Sequence, residues 1–269
     1  MMQRLTFAFA DGVTVAKRNI IKIRRVPDLM VSVVISPILF VLMFGFVFGS
    51  AVDLPGGAYR EFLIGGTFAA MLMFGSALTG AGLADDMQKG IIDRFRSLPM
   101  SRSAVVFGRT TSDVIYNVLG LSVMALTGLA MGWRIDNGIG SALLGFGLLL
   151  LFAYAISWIM AYVGLLVPSP EAVNNAATMV IFPLTFVANT FVPAENLPTA
   201  LRIFAEWNPV SAVTQAAREL FGNIPPGMPE PTVWPLQNPV LYTLIWVALI
   251  IAVFAPLAVR RYKRVAARD

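Results

Sequence analysis

Six long apolar stretches limit the folds that are open to this chain. They cover residues 29–52, 62–83, 105–133, 139–167, 172–192 and 240–259. Each is close to the roughly 20 residues with which an α-helix crosses a hydrocarbon core. Lipid offers no hydrogen-bond partners to backbone amides, and these stretches are too long and too evenly apolar for barrel strands. The sequence therefore predicts an all-α polytopic membrane protein with six transmembrane helices.

Composition agrees with this class and excludes several chemistries. Apolar residues make up 57% of the chain and charged residues 13%, about half the charged share of an average soluble domain. Cysteine and histidine do not occur, which excludes disulfides and thiol nucleophiles, and we expect no metal site. The first 28 residues carry interspersed charges and no continuous apolar core, so we expect the first span to act as the insertion signal.

Basic residues are distributed unevenly between the two sides of the predicted membrane domain. Sixteen of the twenty Lys and Arg residues lie in the N-terminal segment, the connection 83–109 and the C-terminal tail. Only Arg60, Arg134, Arg202 and Arg218 lie in the alternate connections. Cytoplasmic loops carry the excess of Lys and Arg, so both termini are predicted to be cytoplasmic. This bias explains the basic residues without a nucleic-acid partner.

Two further segments have helical periodicity but are not expected to span. Residues 1–27 carry an apolar stripe opposite basic residues and are predicted to form an interfacial amphipathic helix on membrane lipids, a coiled coil being the weaker alternative. Residues 28–269 then form the six-helix domain. Residues 197–222, in the longest outer segment, are predicted to form short re-entrant or interfacial helices.

The charged segment LADDMQKGIIDRFRSLPMSR, residues 83–102, separates the second and third spans. Its apolar face comprises Ile91, Ile92, Phe95 and Leu98, opposite charged residues. We predict a short amphipathic helix at about 85–100, with Asp85 and Asp86 at its start, a bend at Gly90 and Pro99 at its end. A helix this short needs a groove to lie in, and a soluble partner at the membrane face can provide one. An ordinary solvated loop is the alternative.

The predicted spans contain no visible source of energy for transport. Arg109 and Asp113 are the only ionisable residues inside them, and their i, i+4 spacing at the end of a span is typical of an interface pair. The sequence has no GxxxxGK[ST] phosphate loop, HExxH or GxSxG motif. We therefore expect that the chain is not itself an enzyme and that energy comes from a separate protein.

The fifth predicted span carries an unusual number of neutral polar residues. Thr178, Thr185 and Asn189 follow one another by steps of seven and four, so they are predicted to share one helical face. Such a face either lines a path for an amphiphile or forms a helix contact, and the sequence leaves both alternatives open.

The run LADDMQKGIIDRFRSLPMSRSAVVFGR, together with EWNPVSAVTQAARELFG, resembles the type 2 ABC exporter permeases, most closely the daunorubicin-resistance type. The resemblance implies six helices per subunit, a second identical or closely related permease subunit, and two copies of a separate ATPase subunit. It implies that ATP and Mg²⁺ bind to that ATPase and that this chain binds no cofactor. In that family the segment after the second span is the coupling helix, which sits in a cleft of the ATPase.

The coupling role carries over to this sequence by motif position. The matching residues are Asp85, Asp86, Gly90, Ile91, Arg94, Phe95, Leu98, Pro99 and Arg102. The acidic pair here is Asp-Asp where many relatives have Glu. The resemblance implies export of an amphiphilic drug, antibiotic or lipid across a bacterial cell membrane. The alternatives are a permease for lipid-linked polysaccharide or teichoic acid and a non-transporting scaffold that recruits a soluble partner.

Overall fold

The computed structural model describes residues 31–48, 59–91, 102–167 and 169–265. Regular structure in these ranges is helical, without strands. The α-helices are α1 (Ser36–Met43), α2 (Tyr59–Gln88), α3 (Arg102–Ala130), α4 (Gly138–Gly164), α5 (Pro170–Phe186), α6 (Thr199–Trp207), α7 (Pro209–Phe221), α8 (Trp234–Gln237) and α9 (Pro239–Val265). π-helical turns at Val31–Ile35 and Phe44–Phe48 flank α1, and a 3₁₀ turn at Ala194–Asn196 precedes α6. The predicted interfacial helix at 1–27 lies outside the described residues.

In the described part of the chain, four helices are long and apolar enough to cross a membrane. They are Glu61–Gln88, Val106–Ala130, Gly138–Gly164 and Pro239–Val265. Together they support the predicted multi-pass helical membrane protein. The first predicted span corresponds to a shorter apolar helix, Val33–Val47, and the fifth corresponds to α5. The count of six spans therefore stays a prediction.

Helix α5 is shorter than the apolar run that predicted it. Its start follows the sequence, because Ser169 caps the helix by accepting a hydrogen bond from the Ala172 amide and a proline follows at the first helical position. The helix ends at Phe186 after 17 residues, so the predicted continuation to residue 192 is wrong. Pro183 removes one amide donor from the last turn. The carbonyl groups of Asn189 and Thr190 instead accept hydrogen bonds from a side chain of α7.

Helix α2 is the central helix of the bundle. In its most apolar part 78% of the residues are buried, against 22% in the corresponding part of α9. Glycines allow neighbouring backbones to approach it: a Cβ on Gly164 of α4 would lie 2.3 Å from the Gly80 carbonyl oxygen, and one on Gly66 would lie 1.8 Å from that of Thr190. Small residues permit close helix contacts in membranes. The glycine-rich second span is therefore a packed inner helix.

Helix α7 is short and yet packs inside the bundle, against α2, α4 and α9. Asn208 caps it by accepting a hydrogen bond from the Val210 amide, and Gly222, with φ of 78°, ends it in the left-handed conformation. Phe221 packs in an aromatic cluster with Phe68 and Trp133. Helix α6, by contrast, leaves the side chains of Leu201, Ile203, Phe204 and Trp207 exposed.

Candidate functional site

The end of α2 leads into the predicted coupling segment, residues 85–102. Gly90 has φ of 62°, and its amide donates a hydrogen bond to the Met87 carbonyl oxygen. A left-handed glycine of this kind ends a helix without the steric cost that a Cβ would bring. Ile91, the last described residue before the gap, is half-buried. The predicted bend at Gly90 is confirmed.

The acidic pair does not lie at the start of a new helix, as the sequence predicted. Asp85 and Asp86 lie in the last turn of α2, which continues to Gln88. The end of the apolar run marked where the membrane segment ends, but the backbone hydrogen bonds continue past it until Gly90. Carboxylates are unfavourable at a helix C-terminus. For Asp85 this cost is partly offset by Lys89, whose Nζ lies 2.8 Å from its Oδ1.

The rest of the predicted coupling residues fall in or beside the gap. Arg94, Phe95, Leu98 and Pro99 lie outside the described residues. Arg102 is the first residue of α3, and its side chain also lies outside the described part. The structure thus gives the two helices that flank the coupling segment but leaves its docking face a prediction.

Helices α2 and α3 are joined by buried polar contacts near the coupling segment. Thr79 Oγ1 donates a hydrogen bond to Asp113 Oδ2, and Arg109 Nη2 donates one to the Leu78 carbonyl oxygen at 3.0 Å. Arg109 Nε lies 3.5 Å from Asp113 Oδ2. Gly82 makes room for the guanidinium, because a Cβ there would lie 2.0 Å from Nη2 of Arg109. Arg109 and Asp113 therefore pair with each other, and the pair ties α3 to α2.

The three polar residues predicted to share a face are not brought together. Thr178 is exposed, whereas Thr185 is fully buried and its hydroxyl has no hydrogen-bond partner among the described residues. Asn189 lies beyond the end of α5, and its backbone amide donates a hydrogen bond to Ser211 Oγ at 3.0 Å. Thr178 and Thr185 are seven positions apart in α5 and so lie on one side of the helix. The prediction is wrong for Asn189, because α5 ends before it and α7 covers the chain that follows.

Arg218 of α7 is a buried residue that the sequence analysis did not single out. Its side chain is 1% exposed. Its Nε donates a hydrogen bond to the Phe62 carbonyl oxygen at 2.8 Å, and Nη2 donates to those of Asn189 and Thr190, both at 2.9 Å. The guanidinium carbon also lies 3.4 Å from the centre of the Phe62 ring, a cation–π contact. One cation thus links α7 to the first turn of α2 and to the chain after α5.

Burial lowers the pKa of Arg218 to about 9, so the guanidinium stays charged at neutral pH. A signal for its burial was present in the sequence. Ser211 and Thr214 precede it by seven and four positions and Phe221 follows by three, so Arg218 lies on the small and aromatic side of the helix. The topology prediction counts the basic residues in each connection, so it treats such an arginine as a loop residue. That count does not consider which face of a helix the arginine occupies.

The described residues offer no group of three or more acidic side chains that could hold a metal ion. The arrangement can transmit a mechanical displacement. Two helices flank the predicted coupling segment and are joined near it, and the opposite end of α2 is joined to α7 through Arg218. Because an α-helix rises about 1.5 Å per residue, α2 extends over about 45 Å.

Comparisons with known proteins agree on one family. The family model described as ABC-2 type transporter matches residues 12–221. The daunorubicin resistance ABC transporter permease protein DrrB1 of Streptomyces coeruleorubidus is 31% identical over 246 residues, which cover 91% of this chain and 83% of that protein. The probable doxorubicin resistance ABC transporter permease protein DrrC of Mycobacterium tuberculosis is 24% identical over 239 residues, covering 86% and 80%. The putative transport permease ycf38 of Cyanophora paradoxa is 22% identical over 221 residues, covering 81% and 76%.

Proposed function

This chain belongs to the ABC-2 type transporter family, and from that membership we propose that it is the membrane-spanning permease subunit of an ATP-driven exporter. The cargo is an amphiphilic drug, antibiotic or lipid, moved out of the cytoplasm or the inner leaflet. Two relatives, DrrB1 and DrrC, are named as daunorubicin and doxorubicin resistance permeases, which supports this cargo class.

We propose that two permease subunits, identical or closely related, assemble with two copies of a separate ATPase. Both termini of the chain lie in the cytoplasm, and the protein resides in a bacterial cell membrane. ATP and Mg²⁺ bind to the ATPase, and this chain binds no cofactor. Apart from Arg109 and Asp113, its predicted spans contain no ionisable residues that could couple transport to an ion gradient.

The observation that carries the proposal is the polar junction between α2 and α3. These helices enter and leave the coupling segment, and the contacts of Asp113 with Thr79 and of Arg109 with Leu78 hold them together. A displacement of the segment by the ATPase would therefore move both helices as a unit. Both cross-helix hydrogen bonds involve a charged side chain, and such a bond contributes about 1.5–3 kcal/mol, so the junction resists separation of the two helices.

The exposed side of α5 is the proposed wall of the cargo path. Thr178 lies on the exposed side of α5, beside the exposed residues Asn174 and Asn175. In an assembly of two permease subunits, this mixture of apolar and neutral polar groups suits a wall for an amphiphile. Thr185 is buried in the bundle and fits a packing role. Asn189 lies at the other end of α5.

Reconstitution with the partner ATPase tests the function. In proteoliposomes, we expect ATP-dependent uptake of doxorubicin, followed by its fluorescence, into the compartment that faces the outer side of the permease. Uptake of a lipid-linked glycan in place of the drug would favour the alternative cargo. No ATP-dependent uptake of either, with the ATPase bound, would favour a non-transporting scaffold.

A double variant tests the docking face directly. Phe95→Asp with Leu98→Asp should abolish both transport and co-purification of the ATPase, because burying each side chain contributes about 1.5–3 kcal/mol. The matched control, Phe95→Leu with Leu98→Met, keeps the apolar surface and should bind the ATPase normally. If the double aspartate variant transports normally and retains the ATPase, the segment is only a loop.

A further inference from the structure

A cavity of about 420 Å³ lies at the end of α2 opposite the coupling segment. Phe62 of α2 lines it, together with residues of α6 and α7, the turn that begins at Pro193, and parts of the segment from Ile224 to Val233. Its volume falls in the range of small-molecule sites, about 300–1,000 Å³. None of the described coupling residues lines it, and of the three predicted path residues only Asn189 does.

Carboxylates outnumber cations in this cavity. Glu195, Glu206, Glu219 and Glu230 line it with Arg202 and Arg218. Arg202 Nε donates a hydrogen bond to Glu206 Oε1 at 2.7 Å, so these two charges offset each other. Three carboxylates then remain against the single guanidinium of Arg218.

The remaining charges have only partial compensation from the protein, because the cation that interacts with Glu195 is Arg202, which already pairs with Glu206. Three hydrogen bonds from Arg218 go to backbone carbonyl groups. The Glu219 carboxylate accepts a hydrogen bond from the neutral Gln215, at 3.1 Å. Burial raises the pKa of Glu219, and the bond from Gln215 offsets this only in part. A cationic ligand would supply the missing counter-charge.

Two unpartnered polar atoms belong to the same cavity. Asn189 lines it and is 5% exposed, and its Oδ1 has no hydrogen-bond partner among the described residues. Arg218 also lines it, and its Nη1 lacks a partner in the same part of the chain. A buried polar group without a partner is destabilising. The first atom requires a donor and the second an acceptor.

Most of the remaining lining is apolar and favours an organic ligand. Ile224, Met228 and Leu236 line the cavity together with several prolines. The acidic side chains are not grouped closely enough for three of them to hold a metal ion, as far as the described residues go. An inorganic cation would leave the apolar wall unused.

We propose that this cavity binds an amphiphilic organic ammonium ion that carries an oxygen acceptor near its charge. The ammonium group interacts with Glu195, Glu219 and Asn189 Oδ1. The oxygen accepts a hydrogen bond from Arg218 Nη1, and the apolar body packs on the prolines and Ile224. The identification of this ligand as the cargo, bound where it leaves the permease, rests on the proposed export function. Binding itself needs no ATPase.

The test is a fluorescence titration of the permease alone, in phosphatidylcholine nanodiscs. The probe is doxorubicin, which has a primary ammonium group beside hydroxyl oxygens. We expect saturable binding that the double variant Glu195→Gln with Glu219→Gln weakens about tenfold or more, since hydrogen bonds to charged groups are stronger than neutral ones. N-acetylated doxorubicin, which is neutral, should lose affinity to a similar extent. The control Glu171→Gln, on the exposed first turn of α5, should bind like the wild type.

Three results would overturn the inference. They are the absence of saturable binding to the wild-type permease, wild-type affinity in the double variant, and equal affinity for the N-acetylated probe, which would show that the apolar wall alone binds it. If the double variant fails to fold, Glu195→Gln alone replaces it, because Glu195 is exposed, and a loss of several-fold is expected. ATP-driven transport without binding here would contradict this site and leave the export function standing. Binding without ATP-driven transport would do the reverse.

Discussion

Replacing Gly66 by alanine tests how closely α2 packs against the backbone of the chain that follows α5. A Cβ on Gly66 would lie 1.8 Å from the Thr190 carbonyl oxygen and 2.7 Å from its carbonyl carbon. All of these atoms belong to the backbone, so no side chain can rotate away. To restore ordinary contact, α2 and the chain after α5 must separate by about 1.5 Å.

The expected cost follows from the contacts that this separation disturbs. Overpacking of this kind costs about 1–3 kcal/mol. The Thr190 carbonyl also accepts a hydrogen bond from Arg218 Nη2 at 2.9 Å, and weakening a bond to a charged group adds about 1.5–3 kcal/mol. Alanine recovers about 1 kcal/mol through its better helix propensity. We therefore expect a net destabilisation of about 2–5 kcal/mol.

The assay is thermal unfolding of the purified permease, followed by its tryptophan fluorescence. A chain of this size loses about 2–4 °C in its unfolding midpoint per kcal/mol, so Gly66→Ala should lower the midpoint by about 5 °C or more. The control is Gly147→Ala in α4, where a Cβ would meet nothing within 4 Å, and its midpoint should stay the same or rise. If Gly66→Ala unfolds like the control, the close approach of α2 to Thr190 is refuted.

Three further predictions follow from the other contacts. Asp113→Ala should destabilise the protein by about 3–5 kcal/mol, because it leaves Arg109 without its buried partner. Asp113→Asn keeps an acceptor for Thr79 and should lose less stability in the same unfolding assay. Equal losses would show that the acceptor does not matter. Thr178→Leu should leave a stable protein because Thr178 is exposed. Thr185→Leu should lower the yield of folded protein because that site is fully buried. The opposite ranking would contradict the placement of α5. A membrane-impermeant maleimide applied from outside the cell should label Pro226→Cys and spare Ser101→Cys in this cysteine-free chain, and reversed labelling would contradict the predicted topology.

The sequence by itself determined the helical class and several local boundaries. Spans of apolar residues force α-helices because lipid cannot satisfy the backbone, and four of the predicted runs are helices of spanning length. The cap at Ser169 and the break at Gly90 were also readable, since capping and left-handed glycine depend on residues within one turn. Glycines in the second span identified the inner helix. These properties are local, or they depend on the solvent rather than on distant parts of the chain.

Only the tertiary structure decided where α5 ends and which polar residues meet. Apolar periodicity continues past Phe186, but the carbonyl groups of Asn189 and Thr190 bond to Arg218, nearly thirty residues later in the chain. An arginine in an outer connection looks like a solvated residue, yet here carbonyl groups from two other segments converge on it and keep it buried. Helical spacing fixes which residues share a side of a helix, but the neighbour that covers that side comes from elsewhere in the sequence. For this reason Thr185 and Asn189 are buried, Thr178 is exposed, and the outer cavity was not foreseen.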